Sequence, residues 1–498
     1  MKFFLFDSSS PLLFTQTIFW VFLLVVLVFF GLLKNKIKLS HLWLLLVSYF
    51  FYYKSSGNFV VLLLSVTFIT FIFARLLPKI TSKPLKRTLL FFGILLDASF
   101  LLYFKYTYFF VDTINQVWKT NFVAVDYLSL FVNNSFGTNF SVDKIILPVG
   151  ISFFTFQAIS YLADVYKEKI DTKTSFWDFA FYLSFFPQLV AGPIVRAENF
   201  LPQLKKPYSL SKQDFNKAFF LILNGLIKKI FVSDYISINF VDRVFSSPDT
   251  FSGVENLLAS YGYTLQIYCD FSGYTDIAIA ISLLFGFRLP KNFNSPYKAV
   301  NITDFWHRWH ISLSTWLRDY IYIPLGGNRK GKIRQYINLL TTMLIGGFWH
   351  GANIKFVFWG FCHGVLLILD KLLNMMVKPL QNNKIYRIFS AIICFHLVAV
   401  LWIFFRADSF ELATTVLQKI FSLNPNAFLP VILAYWKPLS IILFAMIIHI
   451  LPQKAKDFIR NIFYRSPLFL KIIYALIVVF VLSQVKSASI QPFIYFQF

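Results

Sequence analysis

Long apolar runs separated by short polar breaks dominate this chain. The first run, residues 15–33, reads TQTIFWVFLLVVLVFFGLL. At about 1.5 Å per residue it spans roughly 28 Å, close to the hydrocarbon thickness of a bilayer. Lys34, Lys36 and Lys38 follow at once, and no small-x-small cleavage site appears. The run is therefore expected to be a permanent anchor whose C-terminal end lies in the cytoplasm. Further apolar runs fall near 41–53, 59–77, 88–110, 145–163, 216–232, 259–287, 336–350, 353–374, 387–405, 429–451 and 468–485. The expected fold is all-α: a polytopic membrane protein of about 10–13 transmembrane helices, with re-entrant and interfacial amphipathic helices.

Charge sets the sidedness of the loops. The segment KITSKPLKR at 79–87 reads as cytoplasmic, 111–144 with Asp112, Asp126 and Asp143 as outside, and KEKIDTK at 167–173 as inside again. Residues 176–192 break the alternation. They contain Pro187, end at Ala191-Gly192-Pro193 and have basic segments on both sides, which predicts a re-entrant hairpin. No soluble domain, long linker or internal repeat is expected, and the missing repeat argues against transporters built from inverted halves.

Composition supports this picture. Hydrophobic residues make up 57%, charged residues only 14% and aromatics 20%. That excludes a disordered chain, a disulfide scaffold and an ordinary soluble enzyme. The net charge of +24 lies mostly between apolar runs. It is read as membrane topology and as contact with lipid or cofactor phosphates, with no nucleic acid partner. Cys269, Cys362 and Cys394 stand far apart and are read as packing residues.

The informative stretch is 288–334, which is both basic and aromatic, as suits the membrane interface. Its periodicity predicts one amphipathic helix from Asp304 to about Ile323, N-capped by Thr303 or Asp304 and ended by Pro324 and Gly326-Gly327. On that helix His307 and His310 would share a face, with Ser314 one turn on. The next run, 335–350, would carry His350 roughly 22 Å into the bilayer. An ionisable group held at that depth is a functional candidate, because keeping it there is costly. A neutral His350 can take a proton from a hydroxyl attacking an activated acyl group, while His310 orients the substrate or stabilises the oxyanion. His307 also fits a lipid-headgroup contact. His363 also stands in an apolar run, whereas His41, His396 and His449 are read as structural. No carboxylate or cysteine stands at a metal-ligand spacing, so no metal is expected.

Gln157, Tyr161 and Asp164 form a polar face at the end of the 145–163 run. Gln266, Asp270, Ser272, Tyr274 and Asp276 interrupt the 259–287 run. Asp270 and Asp276 need partners, for which Arg196, Arg308 and Arg318 are candidates. The group is either a structural ion-pair network or the polar lining of a reactant route. The turn Leu325-Gly326-Gly327-Asn328-Arg329-Lys330-Gly331 is either an anion-binding loop or a cytoplasmic turn with positive-inside charge.

Several blocks together resemble one family. These are LPVGISFFTFQAISYLADVY (147–166), SFFPQLVAGPIVR (184–196), QIYCDFSGYTDIAIAISLLFGF (266–287), NFNSPYKAVNITDFWHRWHISLSTWLRDYIYIPLGGNRKG (292–331) and GGFWHGANIKFVFWGFCHG (346–364). They resemble the membrane-bound O-acyltransferase (MBOAT) family, in the group of the alginate O-acetylation membrane component and the peptidoglycan and exopolysaccharide O-acetylases. The resemblance implies one membrane domain over 1–498, with core motifs at about 145–375, N-terminal helices in 1–144 and C-terminal helices in 376–498. It implies a ring of helices around a thin central funnel, with His350 as the base and His310 in the same tunnel. It implies acetyl-CoA, or another activated acyl donor, as substrate rather than bound cofactor, with Gln157, Asp270, Ser314, Arg318, Asn328, Arg329 and Lys330 along the tunnel or donor site. The acceptor would be a polysaccharide, the location the bacterial inner membrane, and the partner a separate periplasmic esterase-like transferase. Two alternatives stay open: a flippase for a lipid-linked glycan, and an acyltransferase with a lipid, protein or teichoic-acid acceptor.

Overall fold

In the computed structural model, residues 6–7, 11–171, 173–190, 192–376, 383–485 and 493 are described. Ala191, in the predicted Ala191-Gly192-Pro193 end of the hairpin, lies outside them. Every regular element among the described residues is helical. The N-terminal helices are α1 (Thr17–Leu33), α2 (Ile37–Ser56), α3 (Val60–Leu76) and α4 (Lys83–Leu101). A π-turn at Leu102–Tyr106 joins α4 to α5 (Thr107–Trp118), followed by α6 (Tyr127–Phe136) and α7 (Ile151–Tyr166). The expected hairpin consists of the short helices α8 (Phe176–Ser184) and α9 (Phe186–Leu189), then α10 (Ala197–Phe200). Beyond it come α11 (Lys212–Leu226), two π-turns over 227–241, α12 (Asp242–Ser246) and α13 (Gly253–Leu284).

The C-terminal half holds α14 (Ile302–Arg308), α15 (Ile311–Leu317), α16 (Lys332–His350), α17 (Ile354–Met376) and α18 (Lys384–Arg406). The last helices are α19 (Phe410–Phe421), α20 (Phe428–Ala434), α21 (Trp436–Ile450), α22 (Gln453–Arg465) and α23 (Leu468–Val485). Among the described residues, six helical stretches are long and apolar enough to cross a membrane, or up to eight if each of two bent pairs is one span. The other expected spans, such as α1 and α7, are shorter or laced with polar residues. The chain is an all-α, multi-pass membrane protein.

Helix α13 is the axis of the bundle and is buried on nearly every side. Ser252 and Glu255 close its N-terminus as a reciprocal capping box. Where α13 crosses α11, a Cβ on Gly225 would sit 2.7 Å from the Gly273 carbonyl. Only two glycines let the backbones approach so closely. Beside that crossing, Lys228 pairs with Asp276 at 2.8 Å, and Lys229 bridges Asp234 (2.7 Å) and Asp270. This corrects the arginine expectation. Arg196 and Arg318 pair with Asp319, and Arg308 with Asp304. The lysines win because the π-turn packed on α13 puts both of them one residue apart against its acidic positions.

The hairpin is buried as its broken sequence requires. The Phe186 amide donates to Ser48 Oγ (3.1 Å), and the Tyr182 hydroxyl to the Val195 carbonyl (2.9 Å). Backbone freed from regular helix thus finds partners within the protein. Residues 107–144 carry a short repeat that the expectation of none missed. Asn115 brackets Thr120 and Phe122, and Asn133 brackets Thr138 and Phe140, with the same hydrogen bonds 18 residues apart. In each copy the helix ends in a left-handed residue, Lys119 or Gly137.

Candidate functional site

The predicted helix from Asp304 to Ile323 is broken in two. Asn301, not Thr303 or Asp304, caps α14, its side chain accepting from the Asp304 amide at 2.7 Å. The chain then turns at His310, which takes a left-handed conformation (φ 41°), before α15 begins. A non-glycine residue rarely adopts that conformation, so neighbouring contacts must hold it. Asn292 supplies them. Its carbonyl accepts the Ile311 amide (2.9 Å), and its Oδ1 accepts the Ser312 amide (3.1 Å) and hydroxyl (2.9 Å). The same oxygen lies 3.2 Å from His310 Nδ1. An oxygen accepts only from a protonated nitrogen, so Nδ1 carries a hydrogen toward Asn292, which in a neutral ring leaves the lone pair on Nε2.

The break also separates the two histidines expected on one face. His307 is exposed, whereas His310 is fully buried, its ring edge-on to Phe271 at 4.6 Å. His350 is the last residue of α16, about 27 Å along the helix from Lys332. It is 2% exposed and ringed by Trp349, Trp359 and Phe405, with centroids at 5.0, 5.1 and 5.2 Å. Trp349 also faces His310 at 6.1 Å, so the two imidazoles flank one indole. Close helix crossing fixes this end of α16. A Cβ on Gly347 would meet the Phe356 carbonyl at 2.3 Å, and one on Gly360 the Met343 carbonyl at 2.4 Å.

Two cavities meet α16 at different levels. A small one, about 40 Å³, is lined by His350, Trp349, Lys105 and residues 147–153, on the side that leads to 107–144. The other, about 250 Å³, lies two helical turns back, where Met343 and Thr342 meet Ser314, Thr315, Arg318, His307 and Lys371. An aromatic layer separates them: Phe156 stacks on Trp316 at 3.8 Å and faces Trp349 at 5.3 Å.

The candidate residues divide accordingly. Ser314 and Arg318 share the larger cavity, and Ser314 Oγ also bonds the His310 carbonyl at 3.2 Å. Asn328, Arg329 and Lys330 stand exposed in the turn before α16, remote from His350. Gln157 is buried in α7, while Asp164 accepts from the Tyr320 hydroxyl at 2.5 Å. Asp270 is held by Lys229 in the ion-pair network. His363 is buried beside the site, its Nδ1 accepting from the Trp306 indole at 3.3 Å. His449 accepts the Tyr297 amide at 3.2 Å. Sequence reasoning passed over Asn292, Trp349 and Lys105. For Lys105 a signal existed, since a lysine interrupts the apolar run 88–110.

Two imidazoles buried about one indole in a helical membrane bundle, with cavities at two levels of α16, form the candidate site of a membrane enzyme. The chain belongs to the MBOAT, membrane-bound O-acyltransferase family, which it matches over residues 22–406, and it is an O-acyltransferase. It is 37% identical to a peptidoglycan O-acetyltransferase of Helicobacter pylori over 409 residues, covering 77% of this chain and 74% of that one. It is 38% identical to a probable alginate O-acetylase AlgI of Pseudomonas putida over 389 residues, covering 77% and 75%. A teichoic acid D-alanyltransferase of Bacillus subtilis is 28% identical over 277 residues, covering 53% and 69%.

Proposed function

We propose that this protein moves an acetyl group from acetyl-CoA on the cytoplasmic side to hydroxyls of a cell-surface polysaccharide or peptidoglycan. A separate extracytoplasmic esterase-like transferase would work with it at the bacterial cytoplasmic membrane. The observation that carries this reading is the seating of His350 and His310 about one indole, with one cavity at His350 and a second two turns back along α16. The larger cavity suits an acyl donor: its wall is apolar, and His307, Arg318 and Lys371 meet at it. The turn Asn328-Arg329-Lys330 adds positive charge nearby for donor phosphates.

The reaction follows from the groups present. An acceptor hydroxyl enters by the small cavity and attacks the acyl carbon. His350 takes the hydroxyl proton, the new C–O bond forms, the C–S bond breaks, and the proton passes from His350 to the leaving thiolate. His310, with Nδ1–H given to Asn292, offers Nε2 as an acceptor. In a neutral ring that suits accepting from a second hydroxyl of the acceptor, since the one proton of the attacking hydroxyl goes to His350, and it favours orienting the acceptor over donating to an oxyanion. Transfer requires the aromatic layer between the cavities to part.

Membranes containing the protein and acetyl-labelled acetyl-CoA test this, with wild type beside His350→Ala. Label that enters glycan only when His350 is present supports the reading. Equal labelling in both overturns the role of His350, and label in lipid alone overturns the acceptor class.

A further inference from the structure

The last four carbonyls of an α-helix have no partner within the helix. At the end of α16 three of these are taken up by two neighbouring residues of the π-turn after α4. The Tyr106 hydroxyl donates to the Phe348 carbonyl at 2.7 Å. The Lys105 ammonium donates to the Trp349 and His350 carbonyls at 2.8 and 2.9 Å. The Tyr106 ring also stacks on Phe348 at 4.2 Å. In an α-helix adjacent side chains point about 100° apart. The wider π-turn lets residues 105 and 106 both address one helix end, a use that explains why the irregularity sits there.

We propose that Lys105 is a catalytic residue of the transfer, holding the end of α16 with two N–H groups and stabilising the acyl oxyanion with the third. This rests on the acyl-transfer reading of His350. An ammonium has three donors, and the two carbonyls use two of them. The two carbonyls at the negative end of the α16 dipole favour its charged form against the cost of burial. The side chain lines the same small cavity as His350, so its remaining N–H is available to a molecule there. As the hydroxyl attacks, the carbonyl π electrons move to oxygen and negative charge grows on it. His310 does not line this cavity, whereas Lys105 does, so Lys105 is placed to supply the donor. When the C–S bond breaks, the charge returns from oxygen to the carbonyl and Lys105 is unchanged.

The test compares Lys105→Met, Lys105→Arg and Tyr106→Phe with wild type and His350→Ala in detergent-solubilised full-length protein. Transfer from labelled acetyl-CoA gives kcat and KM, and hydrogen exchange reads the backbone amides of 345–350. Lys105→Met is expected to lower kcat by about 100-fold with donor KM held within about threefold, since one lost oxyanion donor has that effect. Lys105→Arg, which keeps a charged donor, recovers part of the loss. Tyr106→Phe should speed exchange at 345–350 as Lys105→Met does, yet cost less than about tenfold in kcat. A Lys105→Met rate within about threefold of wild type, or a loss no greater than that of Tyr106→Phe, overturns the oxyanion role. Unchanged exchange in both variants overturns the clamp. If wild type itself shows no His350-dependent transfer, the acyl-transfer reading falls and the oxyanion role with it, while the exchange data still decide the clamp.

Discussion

Replacing Gly347 with alanine perturbs the site without touching a polar group. The added Cβ would lie 2.3 Å from the Phe356 carbonyl oxygen and 3.0 Å from Gly360 Cα. Carbon and oxygen come no closer than about 3.3 Å in ordinary packing, so α16 and α17 must separate by roughly 1 Å. Forcing a methyl group into so close a crossing costs about 1–3 kcal/mol. The chemical cost is larger. His350 lies one helical turn beyond Gly347, and misplacing a reacting group by about 1 Å lowers the rate about 100-fold. The assay is label transfer per unit of monodisperse protein, with fluorescence-detected size exclusion reporting how much is folded. Gly31→Ala is the control, because a Cβ there meets nothing within 4 Å. Near wild-type transfer by folded Gly347→Ala protein would refute the reasoning, since it would mean that the crossing does not position the histidine.

Other outcomes follow from the same geometry. Asn292→Ala leaves the His310 and Ser312 donors without their acceptor, at about 1–3 kcal/mol each. It should abolish transfer and lower the melting temperature. Lys229→Met strands Asp270 and Asp234 and should cost about 3–5 kcal/mol, so the protein fails to accumulate, while adding Asp270→Leu restores part of the accumulation, Asp234 still lacking its lysine. Arg318→Ala should raise donor KM more than it lowers kcat in the labelled acetyl-CoA assay. Asp126 caps α6 outside the spans. Burial opposes its charge, but hydrogen bonds from Tyr103 and Ser129 outweigh this and hold its pKa below the ordinary value. A depressed folded pKa stabilises above the unfolded value, about 3.9, and the contribution is lost as pH falls through the folded one. Limited proteolysis within 119–144 should therefore speed up below about pH 4 in wild type, and Asp126→Asn should flatten that dependence.

The sequence by itself determined the membrane environment, the fold class and the family, and it singled out the candidate histidines. Runs long enough to cross hydrocarbon can only be satisfied as helices, and a histidine placed deep in such a run is costly enough to stand out. The 288–334 stretch announced itself by mixing charge with aromatics, and Pro324 with the glycines after it ended the helix where expected. What only the tertiary structure decided was which polar groups meet. The bend at His310 was invisible because its cause, Asn292, lies 18 residues upstream and acts through the folded loop. The lysine partners of Asp270 and Asp276 come from another helix, whose π-turn no periodicity reveals. Lys105 reaches His350 across 245 residues of chain. Periodicity reports the face a residue presents, while hydrogen bonding between distant segments depends on helix crossings that glycines permit and side-chain volumes fix.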